Sequence, residues 1–132
     1  MIVVDTSVYV AILRAEPEVR AFAEALATGR ELFISAANYV ECTMVAIGRG
    51  LAARNDLDSW LERRRIAIAP LDAHQARIAA DAFARFGKGR HPAALNYGDC
   101  FAYALARSLD APLLFKGDDF GLTDIVPALS AG

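Results

Sequence analysis

The sequence predicts an α/β fold in which a parallel sheet of four to five strands carries helices on both faces. Short apolar segments without alternation, such as residues 1–4, are typical of buried parallel strands. Segments with apolar residues at helical spacing lie between them, and this alternation of strands and helices indicates a parallel sheet. Because neither a repeat nor a linker interrupts the sequence, residues 1–132 are expected to form one domain.

In the first half of the chain, turn and cap residues separate the predicted elements. Thr6 or Ser7 can cap the first helix, Pro17 suits the start of the second, and Gly29 suits its end. Ser35 can cap the third helix, in which Ala36, Ala37, Val40, Met44 and Ile47 recur at helical spacing. The predicted elements are strand 1–4, helices 6–14 and 17–28, strand 31–34, and helices 36–48 and 53–65.

The second half repeats this alternation around one irregular loop. Pro70 closes a strand, and Asp72 begins a long helix with apolar residues along one side. Residues 87–97 are rich in Gly, Pro and basic groups and are predicted to form a loop. The predicted elements are strand 66–69, helices 72–86 and 98–109, strand 112–115 and a very short fifth strand at 124–126.

Composition limits the classes of function. With 14 basic and 16 acidic residues the net charge is −2, which does not suit a protein that coats nucleic acid electrostatically. No apolar run reaches the length of a membrane helix, and no signal peptide is recognisable. Cys42 and Cys100 form no disulfide framework, so the expected location is the reducing cytoplasm. The hydrophobic fraction of 55% predicts an interface with a partner, or else an unusually apolar core.

Acidic residues fall where such a fold can bring them together. Asp5 follows the first strand, and the pair Asp118 and Asp119 follows the fourth. Asp99 lies in the first turn of its helix, and Glu41 lies in an otherwise apolar helical stretch. The carboxyl ends of parallel strands form the edge at which open α/β sheets bind ligands.

Clustered carboxylates require a counter-charge. At about 4 Å and an effective dielectric near 20, each pair of unit charges costs roughly 4 kcal/mol. Oxygen ligands favour Mg²⁺ or Mn²⁺, which makes metal-dependent phosphodiester chemistry the leading hypothesis. Each Asp also has a simpler interpretation, as a turn or cap residue for Asp5, a helix-dipole partner for Asp99 and a turn former for Asp118–Asp119.

Together these motifs resemble the PIN-domain family, and most of all the VapC-type toxins of bacterial toxin–antitoxin pairs. The resemblance spans nearly the whole chain with the motifs in the same order. The segments that carry it are residues 2–7 (IVVDTS), 35–41 (SAANYVE), 95–106 (LNYGDCFAYALA), 112–120 (PLLFKGDDF) and 123–125 (TDI).

The resemblance implies a PIN-like fold and a Mg²⁺- or Mn²⁺-dependent endoribonuclease, a homodimer held inactive by a VapB-type antitoxin. It assigns the first three acids to Asp5, Glu41 and Asp99. The family often places the fourth acid where this chain has Gly117, so Asp118 or Asp119 must take its place. Asp118 is favoured because it is nearer the end of the strand, with Asp119 as its substitute.

Metal contacts are expected from Asp5, Asp99 and the fourth acid, and Ser7 matches a hydroxyl residue that accompanies the first acid. Lys88 and Arg90 in the basic loop, and Lys116 beside the fourth acid, are candidates for binding RNA phosphates. The alternative is a non-catalytic PIN-like module that only binds RNA or protein.

Overall fold

The computed structural model describes residues 1–129 and contains one parallel sheet of four strands. Six α-helices connect the strands, and one short 3₁₀ helix follows the last strand. The elements are β1 (Ile2–Val4), α1 (Thr6–Leu13), α2 (Val19–Leu26), β2 (Leu32–Ser35), α3 (Ala36–Gly48), α4 (Arg54–Arg64), β3 (Ile66–Ala69), α5 (Ala73–Phe86), α6 (Tyr97–Leu109), β4 (Leu113–Leu114) and the 3₁₀ helix Phe120–Leu122.

Strand order determines where the sheet can bind a ligand. The order is β3-β2-β1-β4, and every neighbouring pair is parallel. The chain moves outward from β1 to β3 and then returns to the other side of β1 to form β4. The connection therefore reverses direction between β1 and β4, which creates a crevice at the carboxyl ends of these two strands.

Hydrophobic cores cover both faces of the sheet. Successive side chains of β1 point to opposite faces, so Ile2 and Val4 belong to one core and Val3 belongs to the other. Helices α1 to α4 supply the first core, with Trp60 packed beside Tyr9. Helices α5 and α6 supply the second. The predicted α/β sheet with helices on both faces is confirmed.

One local prediction was wrong. The predicted fifth strand at 124–126 does not form: one isolated bridge joins Leu113 to Pro127 just beyond it, and proline has no N–H with which to extend the pairing. The apolar stripe of α3 is not a core face: Val40, Met44 and Ile47 are 54%, 69% and 51% exposed. The face of α3 that packs inward carries smaller side chains instead, including Cys42 and Ala46.

Candidate metal-dependent nuclease site

Asp5 is a buried carboxylate at the crevice between β1 and β4. It is the N-cap of α1, and its Oδ2 accepts a hydrogen bond from the Ser7 backbone N–H at 3.0 Å. Thr6 or Ser7 had been predicted as the cap, but the helix begins one residue earlier. The Asp5 backbone N–H donates to the Leu114 carbonyl, which fixes the residue to the end of β4.

The other oxygen of this carboxylate has no partner. Asp5 is only 4% exposed, and its Oδ1 is buried without a hydrogen-bond partner in the described part of the chain. Burial, together with the charges of Asp99 and Glu41, raises the pKa of Asp5 to about 7. A buried carboxylate oxygen without a partner is costly unless it binds a proton or a cation.

Asp99 combines a structural role with a position beside Asp5. Its Oδ2 accepts from the Asn96 backbone N–H at 3.0 Å, and the Asn96 side chain accepts from the Asp99 N–H at 2.9 Å, which forms a capping box at the start of α6. Burial, together with the charges of Glu41 and Asp119, raises the pKa of Asp99 to about 6. The residue therefore both caps the helix and belongs to the acidic cluster.

Glu41 is held against the beginning of α6. The fully buried Asn38 donates to Glu41 Oε1 at 3.2 Å and to the Gly98 carbonyl at 3.0 Å. The Glu41 carboxylate lies so close to Gly98 that a side chain there would overlap with it. Asn38 and Gly98 were not predicted as site residues, although Asn38 stands three residues before Glu41 on the same helical face.

The turn after β4 joins the site through Ser7. The Lys116 backbone N–H donates to Ser7 Oγ at 2.9 Å, so Ser7 contacts both Asp5 and this turn. Gly117 lines the cleft with a φ of +101°, a conformation that residues with side chains rarely adopt. An acid at this position would therefore be strained, and the carboxylates of this turn come one and two residues later.

Asp118 and Asp119 are both exposed, and neither lines the cleft as the turn is placed. Asp119 raises the pKa of Asp99, whereas Asp118 does not contribute to that shift. The fourth acid was predicted at Asp118 with Asp119 as the substitute, and this assignment stays a prediction.

The oxygen atoms at this site fit a hard divalent cation, but they do not form a closed ligand set. Within residues 1–129 no group of three His, Cys, Asp or Glu side chains is already close enough to hold an ion. The unpartnered Asp5 Oδ1, beside carboxylates that perturb its ionisation, nevertheless provides a suitable ligand. Mg²⁺ retains several waters in proteins and needs few direct carboxylate bonds.

Of the basic residues predicted to bind RNA, only Lys116 lines the cleft. Lys116 lines the cleft, but its ammonium group is paired with Glu16 and lies 3.5 Å from Glu18. Lys88 and Arg90 are exposed on the basic loop and do not line the cleft. Two cations that were not predicted, Arg14 and Arg49, do line it.

The thiols beside the acids are not part of this chemistry. Cys42 and Cys100 are buried and free, and burial raises their pKa values to about 12 and about 11. Both thiols therefore stay protonated at neutral pH and pack as small apolar side chains.

Comparison with known proteins agrees with the fold. The PIN domain matches residues 2–126. The chain therefore belongs to the PIN domain family.

Relatives within this family are bacterial proteins named as ribonucleases. Ribonuclease VapC of Mycolicibacterium smegmatis is 48% identical over 124 residues, which cover 93% of this chain and 96% of the relative. Ribonuclease VapC28 of Mycobacterium tuberculosis is 45% identical over 129 residues, covering 96% and 97%. Ribonuclease VapC30 of the same species is 44% identical over 124 residues, covering 93% and 95%. Within the PIN domain family, the chain is thus grouped with the VapC proteins.

Solved structures share the fold at low sequence identity. A toxin–antitoxin complex from Klebsiella pneumoniae matches with a TM-score of 0.72 and 16% identity, covering 99% of this chain and all of the other. VapC20 of Mycobacterium tuberculosis, a toxin that cleaves the sarcin–ricin loop, matches with a TM-score of 0.70 and 16% identity, covering 96% and 97%.

Proposed function

We propose that this chain is a divalent-metal-dependent endoribonuclease and the toxin of a toxin–antitoxin pair. The buried, unpartnered oxygen of Asp5 beside Asp99 and Glu41 is the observation that carries the metal-dependent part of the proposal. The names of the VapC relatives support RNA as the substrate. The cytoplasm, where RNA is available, is the proposed location.

The acids have distinct proposed roles. Asp5 and Asp99 are the principal ligands of Mg²⁺ or Mn²⁺, because Asp5 is buried, Asp99 is partly buried, and the charge of Asp99 raises the pKa of Asp5. Glu41, oriented by Asn38, orients water at the edge of the site. The fourth acid, Asp119 or Asp118, completes the outer ligands. The bound cation would acidify a water molecule and neutralise charge on the phosphate.

Ser7 and the basic residues have supporting roles in this proposal. Ser7 fixes the Asp5 carboxylate through its N–H and fixes the turn after β4 through its hydroxyl. Lys116 is proposed to leave its ion pair with Glu16 and to bind an RNA phosphate instead. Lys88 and Arg90 are proposed to contact RNA outside the cleft, where they are exposed.

RNA cleavage by purified protein, freed of any co-expressed partner, tests the proposal. Total bacterial RNA would be incubated with wild type or Asp99→Asn in Mg²⁺, Mn²⁺ or EDTA. The Asn side chain can still accept the Asn96 N–H, so the capping box and the fold should survive, as a circular dichroism melt would verify.

Discrete fragments that form only with wild type and a divalent ion would support the proposal. Fragments that are equally abundant with Asp99→Asn or in EDTA would contradict it. Folded wild type that binds RNA without cutting it would favour the non-catalytic binding module.

The proposed protein partners are a second copy of the chain and a VapB-type antitoxin. Two apolar surfaces support such partners: the exposed stripe Val40, Met44 and Ile47 on α3, and a groove of about 480 Å³ between α5 and α6 beside the exposed Phe83 and Tyr97. Light scattering of the purified chain should give twice the protomer mass of 14.2 kDa. A protomer mass at micromolar concentration would contradict the homodimer. No helix within residues 1–129 has the length and apolar character needed to cross a membrane.

A further inference from the structure

The acidic site is one end of a longer cleft between α1 and α3. The cleft has a volume of about 410 Å³. On α3 it is lined by Glu41, Val45 and Arg49, which are spaced four residues apart and so share one helical face. The facing lining residues of α1 are Thr6, Ser7, Val10, Ala11 and Arg14.

Along the cleft, both helices therefore present the same types of side chain in the same order from N-terminus to C-terminus. Each begins with polar or acidic groups at the sheet edge, continues with apolar side chains and ends with an arginine. From Glu41 to Arg49 the helical rise is roughly 12 Å at 1.5 Å per residue. Arg14 and Arg49 are the C-cap residues of α1 and α3, so both lie at the far end of the cleft.

The two guanidinium groups are only weakly engaged in the described part of the chain. No hydrogen bond from either guanidinium was found there, and Arg49 has no carboxylate within 4 Å. Arg14 forms an ion pair with Glu16 at 3.7 Å, and Glu16 also lines the cleft. Lys116, by comparison, is engaged by Glu16 and Glu18. A cation at a helix C-terminus also stabilises the helix dipole, but that role leaves the guanidinium donors available.

We propose that Arg14 and Arg49 together bind a backbone phosphate of the RNA strand that flanks the phosphate being cut. This inference rests on the proposed ribonuclease function. Guanidinium groups bind phosphate through paired hydrogen bonds, and Arg14 and Arg49 line the same cleft at the C-terminal ends of its two helices. The cleft is continuous with the carboxylates, so a single strand can reach both ends, with a nucleoside over the apolar segment between them.

Substitution of each arginine by glutamine tests this assignment. A short fluorescein-labelled single-stranded RNA of mixed sequence would be titrated by anisotropy in the cleavage-deficient Asp99→Asn background, over a series of salt concentrations. Arg14→Gln and Arg49→Gln should each weaken binding roughly 10-fold, because a hydrogen bond to a charged group is lost. Each should also lower the salt dependence by about one counterion.

The matched control is Arg20→Gln, which removes an arginine that is paired with Glu24 on α2 and does not line the cleft. This variant should bind and cleave RNA like wild type. With Asp99 intact, the two cleft variants should raise KM for RNA and leave kcat nearly unchanged, because a flanking phosphate contact is the same before and during the reaction. Circular dichroism melts would establish that all three variants fold.

Three outcomes overturn the assignment. If wild type cleaves RNA and the cleft variants bind and cleave like Arg20→Gln, the proposed function stands and the arginine assignment fails. If the variants keep RNA affinity but lose affinity for the antitoxin, the cleft end binds an acidic peptide instead. If wild type neither binds nor cleaves RNA, the proposed function fails and the assignment fails with it.

Discussion

Asp5 illustrates how one residue can be both structural and chemically active. As an N-cap it needs only one oxygen, which accepts the Ser7 N–H. The second oxygen has no role in the described fold, and burial near two other acids makes its ionisation unfavourable. The cap interpretation of this Asp and the metal-ligand interpretation are therefore compatible, because each uses a different atom.

This arrangement predicts that the metal-free protein becomes less stable as pH rises. In the unfolded chain Asp5 loses its proton near pH 4, whereas in the folded chain it keeps the proton up to about pH 7. Between these values the folded state binds more protons, so the free energy of unfolding falls with rising pH. The raised pKa of Asp99 adds to the fall up to about pH 6.

Urea unfolding in EDTA at several pH values measures this effect. The Asp5 contribution amounts to about 4 kcal/mol between pH 4 and pH 8, from 1.36 kcal/mol per pKa unit. Asp5→Asn should remove most of the slope, and saturating Mg²⁺ should restore stability at pH 8 in wild type only. If the free energy of unfolding depends on pH equally in wild type and Asp5→Asn, the ionised Asp5 carboxylate is not destabilised by the fold.

The side-chain amide of Asn38 links helices α3 and α6 at the site. Asn38 donates from α3 both to Glu41 and to the first turn of α6, and it is fully buried. We predict that Asn38→Ala lowers the free energy of unfolding by about 1–3 kcal/mol, because buried partners lose their donor. Cleavage should also fall by roughly 10-fold or more, as when a residue that orients a ligand is removed.

Asn55→Ala is the matched control for this change, since Asn55 is exposed on α4. It should leave both stability and cleavage near the wild-type values, as measured by urea unfolding and by the RNA assay. Equal effects of the two substitutions would exclude a positioning role for Asn38.

The turn after β4 gives a second prediction at the scale of an element. Asp119→Asn should reduce metal-dependent cleavage by roughly 10-fold, because this carboxylate acts electrostatically on Asp99. Asp118→Asn, one residue away in the same exposed turn, serves as its control and should have the smaller effect. Initial rates of RNA cleavage at subsaturating Mn²⁺ compare the two, and the reverse order would restore Asp118 as the fourth acid.

The limits of helices and strands could be predicted from the sequence where cap residues, prolines or apolar periodicity determine them. The limits of β3 and the caps Ser35 and Asp72 follow from proline, polar caps and apolar periodicity, and they are confirmed. The exposed side of α3 was not predictable, because an apolar stripe has the same period whether it faces a core or a partner. Likewise, Arg14 and Arg49 are 35 residues apart in sequence, and only the packing of α1 against α3 brings them into one cleft.

At the scale of the molecule, strand order explains why the acids meet. Asp5 and the turn with Asp119 follow β1 and β4, which flank the point where the chain reverses direction across the sheet. Helices α3 and α6 then bring Glu41 and Asp99 to the same crevice through the Asn38 contacts. The sequence predicted that the acids lie at one edge, whereas the order of the strands could not be read from it.

Mn²⁺ binding to the apo protein tests the central claim most directly, since it asks whether this crevice is a metal site. Free Mn²⁺ would be followed by electron paramagnetic resonance during titration of wild type, Asp5→Asn and the control Asp72→Asn. Asp72 is also an Asp N-cap, but it lies at α5 and away from the cleft. Wild type and Asp72→Asn should bind Mn²⁺ alike, and Asp5→Asn at least roughly 10-fold more weakly. Equal binding by all three proteins would contradict the account.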